Sequence, residues 1–270
     1  MSAALVDSHC HLDASEFGRT PAEVADEAAA AGVRWIIVPA VERGNFDAVA
    51  AIAHQHPGCA YALGIHPMYV PRASEQDLVV LRERVAQAMD DPRFIAIGEI
   101  GLDFFIPELK DGPLRDKQAH FYVEQLKIAR DFDLPVILHV RRSQDQLLKQ
   151  LRRIRVRGGI AHAFNGSEQQ AAAFVALGFV LGFGGAMTFT RALQIRRLAA
   201  SLPPDCIILE TDAPDIAPSW LHPAVNTPAQ LPRIAAELAE LRGQPVADIA
   251  HQTTQNVARV LPRLGSLMMA

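Results

Sequence analysis

Two histidines, His9 and His11, stand two residues apart in VDSHCHLD, at the end of an apolar run. On a strand that spacing points both imidazoles to one face, where both can reach a single metal ion. Cys10 between them points the other way and reads as packing. Glu99 lies in IGEIGLD, among apolar residues and glycines, where a carboxylate is costly to bury unless paired, hydrogen-bonded or coordinating a cation. His139 falls in ILHVRR, His162 in IAHAF and Asp212 in ILETDAP, with Glu210 on the same face one pleat below Asp212. Any one of these alone reads as a satisfied core or rim residue. Six together, each interrupting a run of Val, Ile, Leu or Ala, read as a metal centre. Four imidazoles and two carboxylates give donors enough for two divalent ions, with Glu99 as the bridge. Nitrogen-rich ligation suits Zn, Mn, Fe or Ni better than Mg, although oxygen from substrate and water can shift that balance.

Such residues can meet only if the elements carrying them converge. Strand-like runs fall at 4–9, 33–40, 60–66, 93–100, 135–140, 158–164, 179–183 and 206–212. Amphipathic stretches separate them; in DKQAHFYVEQLKIARDF, Phe121, Gln125, Leu126, Ala129 and Phe132 trace spacings of three and four along one face. Near-continuous apolar strands alternating with helices imply a parallel sheet covered by helices, and eight strands close a barrel. A doubly wound open sheet is the competitor. It is disfavoured because the polar residues sit near the C-terminal ends of strands spread through the whole chain, and only closure gathers them. The expectation is an α/β chain in which residues 1–270 form a single (β/α)8 TIM-type barrel, with helices around 228–242 and 245–260 after the last strand. A barrel of this kind takes about 250 residues, which the length accommodates. Its active site belongs at the rim formed by the C-terminal ends of the strands.

With VDSHCH, GIHP, GEIGLD, LPVILH, HAFNGS and LETDAP in this order, the chain resembles the TatD family of metal-dependent deoxyribonucleases, within the amidohydrolase-like superfamily. IIVPAVE, LPVILHVRR and LETDAPDIAP bring it nearest to the YjjV-like branch. The resemblance implies that His9, His11, Glu99 and Asp212 hold one divalent ion and that Glu99, His139 and His162 hold a second. It implies DNA as substrate, single-stranded or attacked from an end. The chain departs from the family pattern where HAFNGS replaces HCFSGS and HVRRS replaces HSRDA, at the substrate-facing rim rather than at a ligand.

A divalent ion lowers the pKa of water to about 7 in favourable sites and polarises a phosphoryl oxygen. Asp212 is then the expected proton acceptor, and Glu99 and Asp212 the catalytic carboxylates. His66 in GIHP and Arg141, two residues beyond His139, are expected to contact substrate, with Arg142 facing away. Asp103 reads as stabilising its loop, or as an acceptor that orients a ligand. Phe104 and Phe105 could stack a base but read more simply as packing. Past Arg142, the basic run to Arg157 reads as a solvated helix face.

The formal charge is −4, so global electrostatics do not mark a nucleic-acid binder, and an anionic substrate must be held by local cations or metal ions. That balance keeps a second function open, hydrolysis of small amide, lactone, ester or aminoacyl substrates at the same site. Purely structural metal is disfavoured, since structural sites are closed Cys/His tetrahedra. Three widely spaced cysteines, Cys10, Cys59 and Cys206, offer neither a disulfide framework nor a CxxC knuckle. With no export signal visible in MSAALVDSHCH and no membrane span, the expectation is a cytoplasmic monomer without an obligate protein partner.

Overall fold

Residues 4–269 are described by the computed structural model. Eight parallel strands form one sheet in sequence order: β1 (Leu5–Asp7), β2 (Val33–Pro39), β3 (Cys59–Leu63), β4 (Phe94–Asp103), β5 (Val136–Arg141), β6 (Gly159–Ala161), β7 (Phe179–Phe183) and β8 (Ile207–Leu209). The sheet curls until its edges meet. Ser8 N–H donates to Leu209 O at 3.2 Å, Asp212 N–H to His9 O at 2.9 Å and His11 N–H to Ala213 O at 2.8 Å. The segments that join the first and last strands are thus the segments carrying three of the expected ligands. This is the expected (β/α)8 barrel.

Helices cover the outside. Each buries an apolar stripe against the strands, as Leu147, Leu148 and Leu151 do in Gln144–Arg153, while Lys149, Arg152 and Arg153 on that helix stay exposed. Helix starts are encoded locally. Thr20 and Glu23 exchange hydrogen bonds around Pro21, and Ser167 and Gln170 do the same, satisfying amide groups that a helix start leaves unpaired. The eighth covering helix is Leu231–Arg242. Two more, Val246–Val260 and Pro262–Met269, close the N-terminal end of the barrel; the second lies beyond the expected helices. Val257, Val260, Leu261 and Leu264 pack there against Val6, Ile37, Ala60, Ile95, Ile137, Ile160, Val180 and Ile208, which fill the barrel interior.

Five strands, β1, β2, β3, β6 and β8, are shorter than their apolar runs. The backbone turns left-handed at Ala163 after β6 and at Asp212 after β8, with φ of 45° and 56°. Non-glycine residues rarely adopt that region, and it ends the extended chain where a side chain must turn inward. β4 is longer than expected, running to Asp103, with a register shift between Ile97 and Ile100. Close backbone contacts leave no room for a side chain at Gly101 and Gly159, whose Cβ would meet His139 O at 2.2 Å and Val136 O at 1.9 Å.

Candidate metal centre

The site grows out of strand alternation. In β5, Ile137 belongs to the barrel interior and His139, two residues on, points the same way one layer higher. Ile160 and His162 repeat this after β6, and Ile208, Glu210 and Asp212 after β8. An apolar layer is therefore roofed by a polar one. Glu99 sits at its centre, 1 % exposed.

The two carboxylate oxygens of Glu99 serve different partners. Oε2 lies 3.1 Å from His9 Nε2 and 3.5 Å from His11 Nε2. Oε1 lies 2.9 Å from His139 Nδ1, 3.2 Å from His162 Nε2 and 3.3 Å from His66 Nε2. Asp212 Oδ1 closes the first group at 3.6 Å from His9 Nε2 and 3.8 Å from His11 Nε2. All six expected ligands and His66 are thereby brought together. Three triads hold their ligand atoms within 4.8 Å of one another: His9, His11 and Glu99; His9, His162 and Asp212; and His66, Glu99 and His139. His162 therefore faces both halves of the cluster, being also 3.9 Å from Asp212 Oδ1.

This donor set fits a divalent cation. Ligands about 2.1 Å from one tetrahedral ion lie about 3.4 Å apart. His9 Nε2 and His11 Nε2 are 3.3 Å apart, and their distances to Glu99 match that edge. Nδ1 of His9, Nδ1 of His162 and Oε2 of Glu210 are buried without hydrogen-bond partners, the mark of a place for an ion or ordered water.

Outer contacts assign roles to the rings. His66 Nδ1 accepts the Met68 amide at 3.1 Å, which puts the proton of the neutral ring on Nε2 and makes that atom a donor. His139 is set the other way. Its Nε2 meets Asp103 Oδ2 at 3.0 Å, leaving the Nδ1 lone pair facing inward, where it accepts from His66 Nε2–H at 3.0 Å beside Glu99. Asp103 also accepts the amides of Phe105 at 2.8 Å and Ile106 at 3.1 Å, so it both stabilises its loop and orients the His139 ring.

Electrostatics follow from burial and crowding. Burial works to raise the pKa of Glu99, but the imidazoles of His66, His9 and His162 outweigh it and hold the carboxyl well below the usual range. Burial, aided by Glu99 and Glu210, pushes Asp212 up to about 6 against the pull of His162 and His11. His66 is lowered by burial to about 4, which keeps it neutral. Asp212, His139 and His11 retain side-chain exposures of 14, 13 and 18 %, so the cleft opens beside them.

Some support was not expected. Asp7 is buried in β1 and accepts the Thr211 amide at 2.9 Å, the Thr211 hydroxyl at 2.5 Å and the His9 amide at 3.2 Å, tying the site-bearing ends of β1 and β8 together. Glu210 Oε1 accepts the Ala163 amide at 2.5 Å and lies 3.5 Å from His162 Nδ1. Gly182 leaves the space, for a Cβ there would stand 2.1 Å from Glu210 Oε2. Gln125 binds both the amide and the carbonyl of Ile65, at 2.7 and 3.0 Å, holding the loop that presents His66. Its signal was a glutamine on an otherwise apolar helix stripe. Cys10 is fully buried in the outer core, as its alternation implied.

Comparison with known proteins places the chain in a family. The family model described as TatD related DNase matches residues 6–262. An Escherichia coli relative, the uncharacterized metal-dependent hydrolase YjjV, is 40 % identical over 259 residues, covering 95 % of this chain and 97 % of its own. The crystal structure of that TatD homologue superposes with a TM-score of 0.91 at 39 % identity, over 97 % of this chain and 99 % of the other. The 3'-5' ssDNA/RNA exonuclease TatD of Escherichia fergusonii is 29 % identical over 260 residues, covering 94 % of this chain and 97 % of its own. No helix among the described residues is long and apolar enough to cross a membrane. A match from the first strand to the final helices, together with a rim built from imidazoles and carboxylates, makes this chain a member of the TatD-related DNase family and a metal-dependent hydrolase.

Proposed function

We propose that the chain is a deoxyribonuclease that hydrolyses phosphodiester bonds of single-stranded DNA or DNA ends, with the whole barrel acting as one catalytic unit. The observation that carries this reading is Glu99, whose two oxygens face separate groups of imidazoles. A carboxylate so placed is suited to bridge two divalent ions, His9, His11 and Asp212 completing one site and His139 and His162 the other. When bound, such ions polarise the phosphoryl oxygen and make water a competent nucleophile near neutral pH.

The chain's own groups then have distinct tasks. Asp212, at the open edge of the cluster, accepts the proton of the water that attacks phosphorus as the bond to the leaving oxygen breaks. Asp103 holds His139 in the tautomer that leaves its inward nitrogen free. His66 Nε2–H donates to a phosphate oxygen, and Arg141, 45 % exposed at the rim, reaches another. The name of the E. fergusonii relative supports a strand with an accessible end as substrate. Three buried free thiols suit a reducing, cytoplasmic compartment, and the chain is read as a monomer.

Hydrolysis of an end-labelled single-stranded oligonucleotide tests the reading, using chelator-stripped protein with Mg, Mn and Zn restored separately and Asp212→Ala as control. Metal-dependent cleavage absent from the variant is expected. No cleavage by protein that rebinds metal would overturn the reading and assign the site to small amide, lactone, ester or aminoacyl substrates.

A further inference from the structure

Beside the metal centre, Arg141 belongs to a cluster whose other members, Phe105 and Arg142, the hydrolytic reaction does not use. Phe105, in the loop after β4, is 43 % exposed. Two guanidinium groups converge on its ring, with Arg141 Cζ 3.8 Å and Arg142 Cζ 4.7 Å from the centroid. Simple strand alternation would send Arg142 to the opposite face from Arg141. Its backbone is left-handed instead, with φ of 55°, which returns the side chain to the side of its neighbour. The neighbouring Phe104 is partly buried under Arg115, whose Cζ lies 4.8 Å from its centroid, so the two adjacent aromatics have separate roles.

The cluster is fixed in place. Phe104 N–H donates to Arg141 O at 2.9 Å, Ser143 Oγ–H to Leu102 O at 2.6 Å, and Asp103 holds the Phe105 amide. It is also joined to the site, because Asp103 Oδ2, 3.0 Å from His139 Nε2, is 3.7 Å from Arg141 Nη1. Asp103 is fully buried and shared with His139 and two amides, so it does not neutralise two exposed arginines. Adjacent like charges gathered on one exposed apolar ring gain most from an anion that reaches both and a flat apolar surface that covers the ring.

We propose that Phe105 and Arg142 extend the substrate contact at Arg141 into a subsite for the nucleotide next to the one cleaved. The guanidinium groups take its phosphodiester and the ring supports its base. This rests on the nuclease reading and adds to it: single-stranded nucleic acid is the ligand class, since an unpaired base can leave its stack and settle on an aromatic side chain.

The test is fluorescence anisotropy of a phosphorothioate single strand, which resists cleavage, with the full metal-loaded chain across a salt series. Three exposed positions are varied: Phe105→Ala, Arg142→Gln, and Lys149→Gln on the outer helix as a charge-matched control. Arg142→Gln is expected to weaken binding about tenfold and to reduce the salt slope by ~0.7, the share of one phosphate. Phe105→Ala is expected to weaken binding roughly 5- to 100-fold with little change in slope. Lys149→Gln stays within about twofold of the parent, and all three keep the parent melting temperature. Parental affinity in Phe105→Ala, or an Arg142→Gln indistinguishable from Lys149→Gln, overturns the subsite while metal-dependent cleavage by the parent leaves the nuclease reading standing. A parent that neither binds nor cleaves single strands overturns both.

Discussion

The two ends of the barrel are built from the same eight strands and differ in almost everything else. At the N-terminal end, aliphatic residues such as Ile37, Ile95, Ile137, Ile160 and Ile208 meet Val257, Leu261 and Leu264 of the closing helices. Polar side chains of the closing helices reach backbone carbonyls there. Arg263 donates to the carbonyls of Phe94, Met89 and Asp91 at 2.5, 2.9 and 2.7 Å, and Asn256 to those of Pro204 and Ile207, each at 2.8 Å. One layer higher the interior changes to Glu99, His139, His162 and Glu210, where buried polar atoms lack partners. The lower layer gains stability from dispersion and from apolar surface removed from water. The upper layer costs stability unless a cation joins it. The difference teaches that this fold separates the residues that hold it together from the residues that act, by about one pleat of strand.

That separation can be broken from either side, beginning with the largest effect. Glu99→Ala should remove metal-dependent turnover, a loss of at least about a thousandfold, while the chelated protein remains folded at low temperature. Activity assays and thermal melts with and without chelator read both quantities. Leu261→Ala at the opposite end should do the reverse, costing about 2–5 kcal/mol of stability with metal content unchanged at low temperature. A Leu261→Ala protein that loses its metal while still folded would show that the ends are not independent.

Smaller effects sharpen the boundary. Asp103→Asn should weaken metal binding roughly 10- to 100-fold, because the amide can no longer fix the His139 tautomer as a carboxylate does. Isothermal titration with Zn or Mn measures it, and unchanged affinity would confine Asp103 to its loop. Smallest is a pH effect at the closed end. Burial works to raise the pKa of Asp91, but the Arg93 amide, the Tyr61 hydroxyl and His54 lower it on balance. A carboxyl depressed by folding contributes stability above its unfolded pKa of about 3.9, and that contribution is lost as pH falls through the folded value. The melting-temperature gap between parent and Asp91→Asn should therefore be flat near neutrality and shrink below about pH 4. A gap that widens in acid would contradict the assignment.

Much of this was legible in the sequence for physical reasons. Continuous apolar runs reveal buried parallel strands, and a polar residue interrupting five of them at one end reveals the rim, so His9, His11, Glu99, His139, His162 and Asp212 declared themselves. Left-handed turns are less visible. Nothing in HVRRS announces that Arg142 departs from alternation, and Ala163 and Asp212 hide the early ends of β6 and β8 in the same way. Partners distant in the chain were also out of reach. Asp7 with Thr211 and Gln125 with Ile65 depend on closure of the barrel and on helix placement. His66 could be located at the rim, but its role as a donor needed the Met68 amide on its other nitrogen.

The central claim, that Glu99 bridges two ions, is tested most directly by counting metal. Elemental analysis of zinc- or manganese-loaded, desalted protein should give two ions per chain for the parent. Glu99→Ala, folded by its melting curve, should retain fewer than one. Two ions retained without Glu99, or a parent that never holds more than one, would contradict the account.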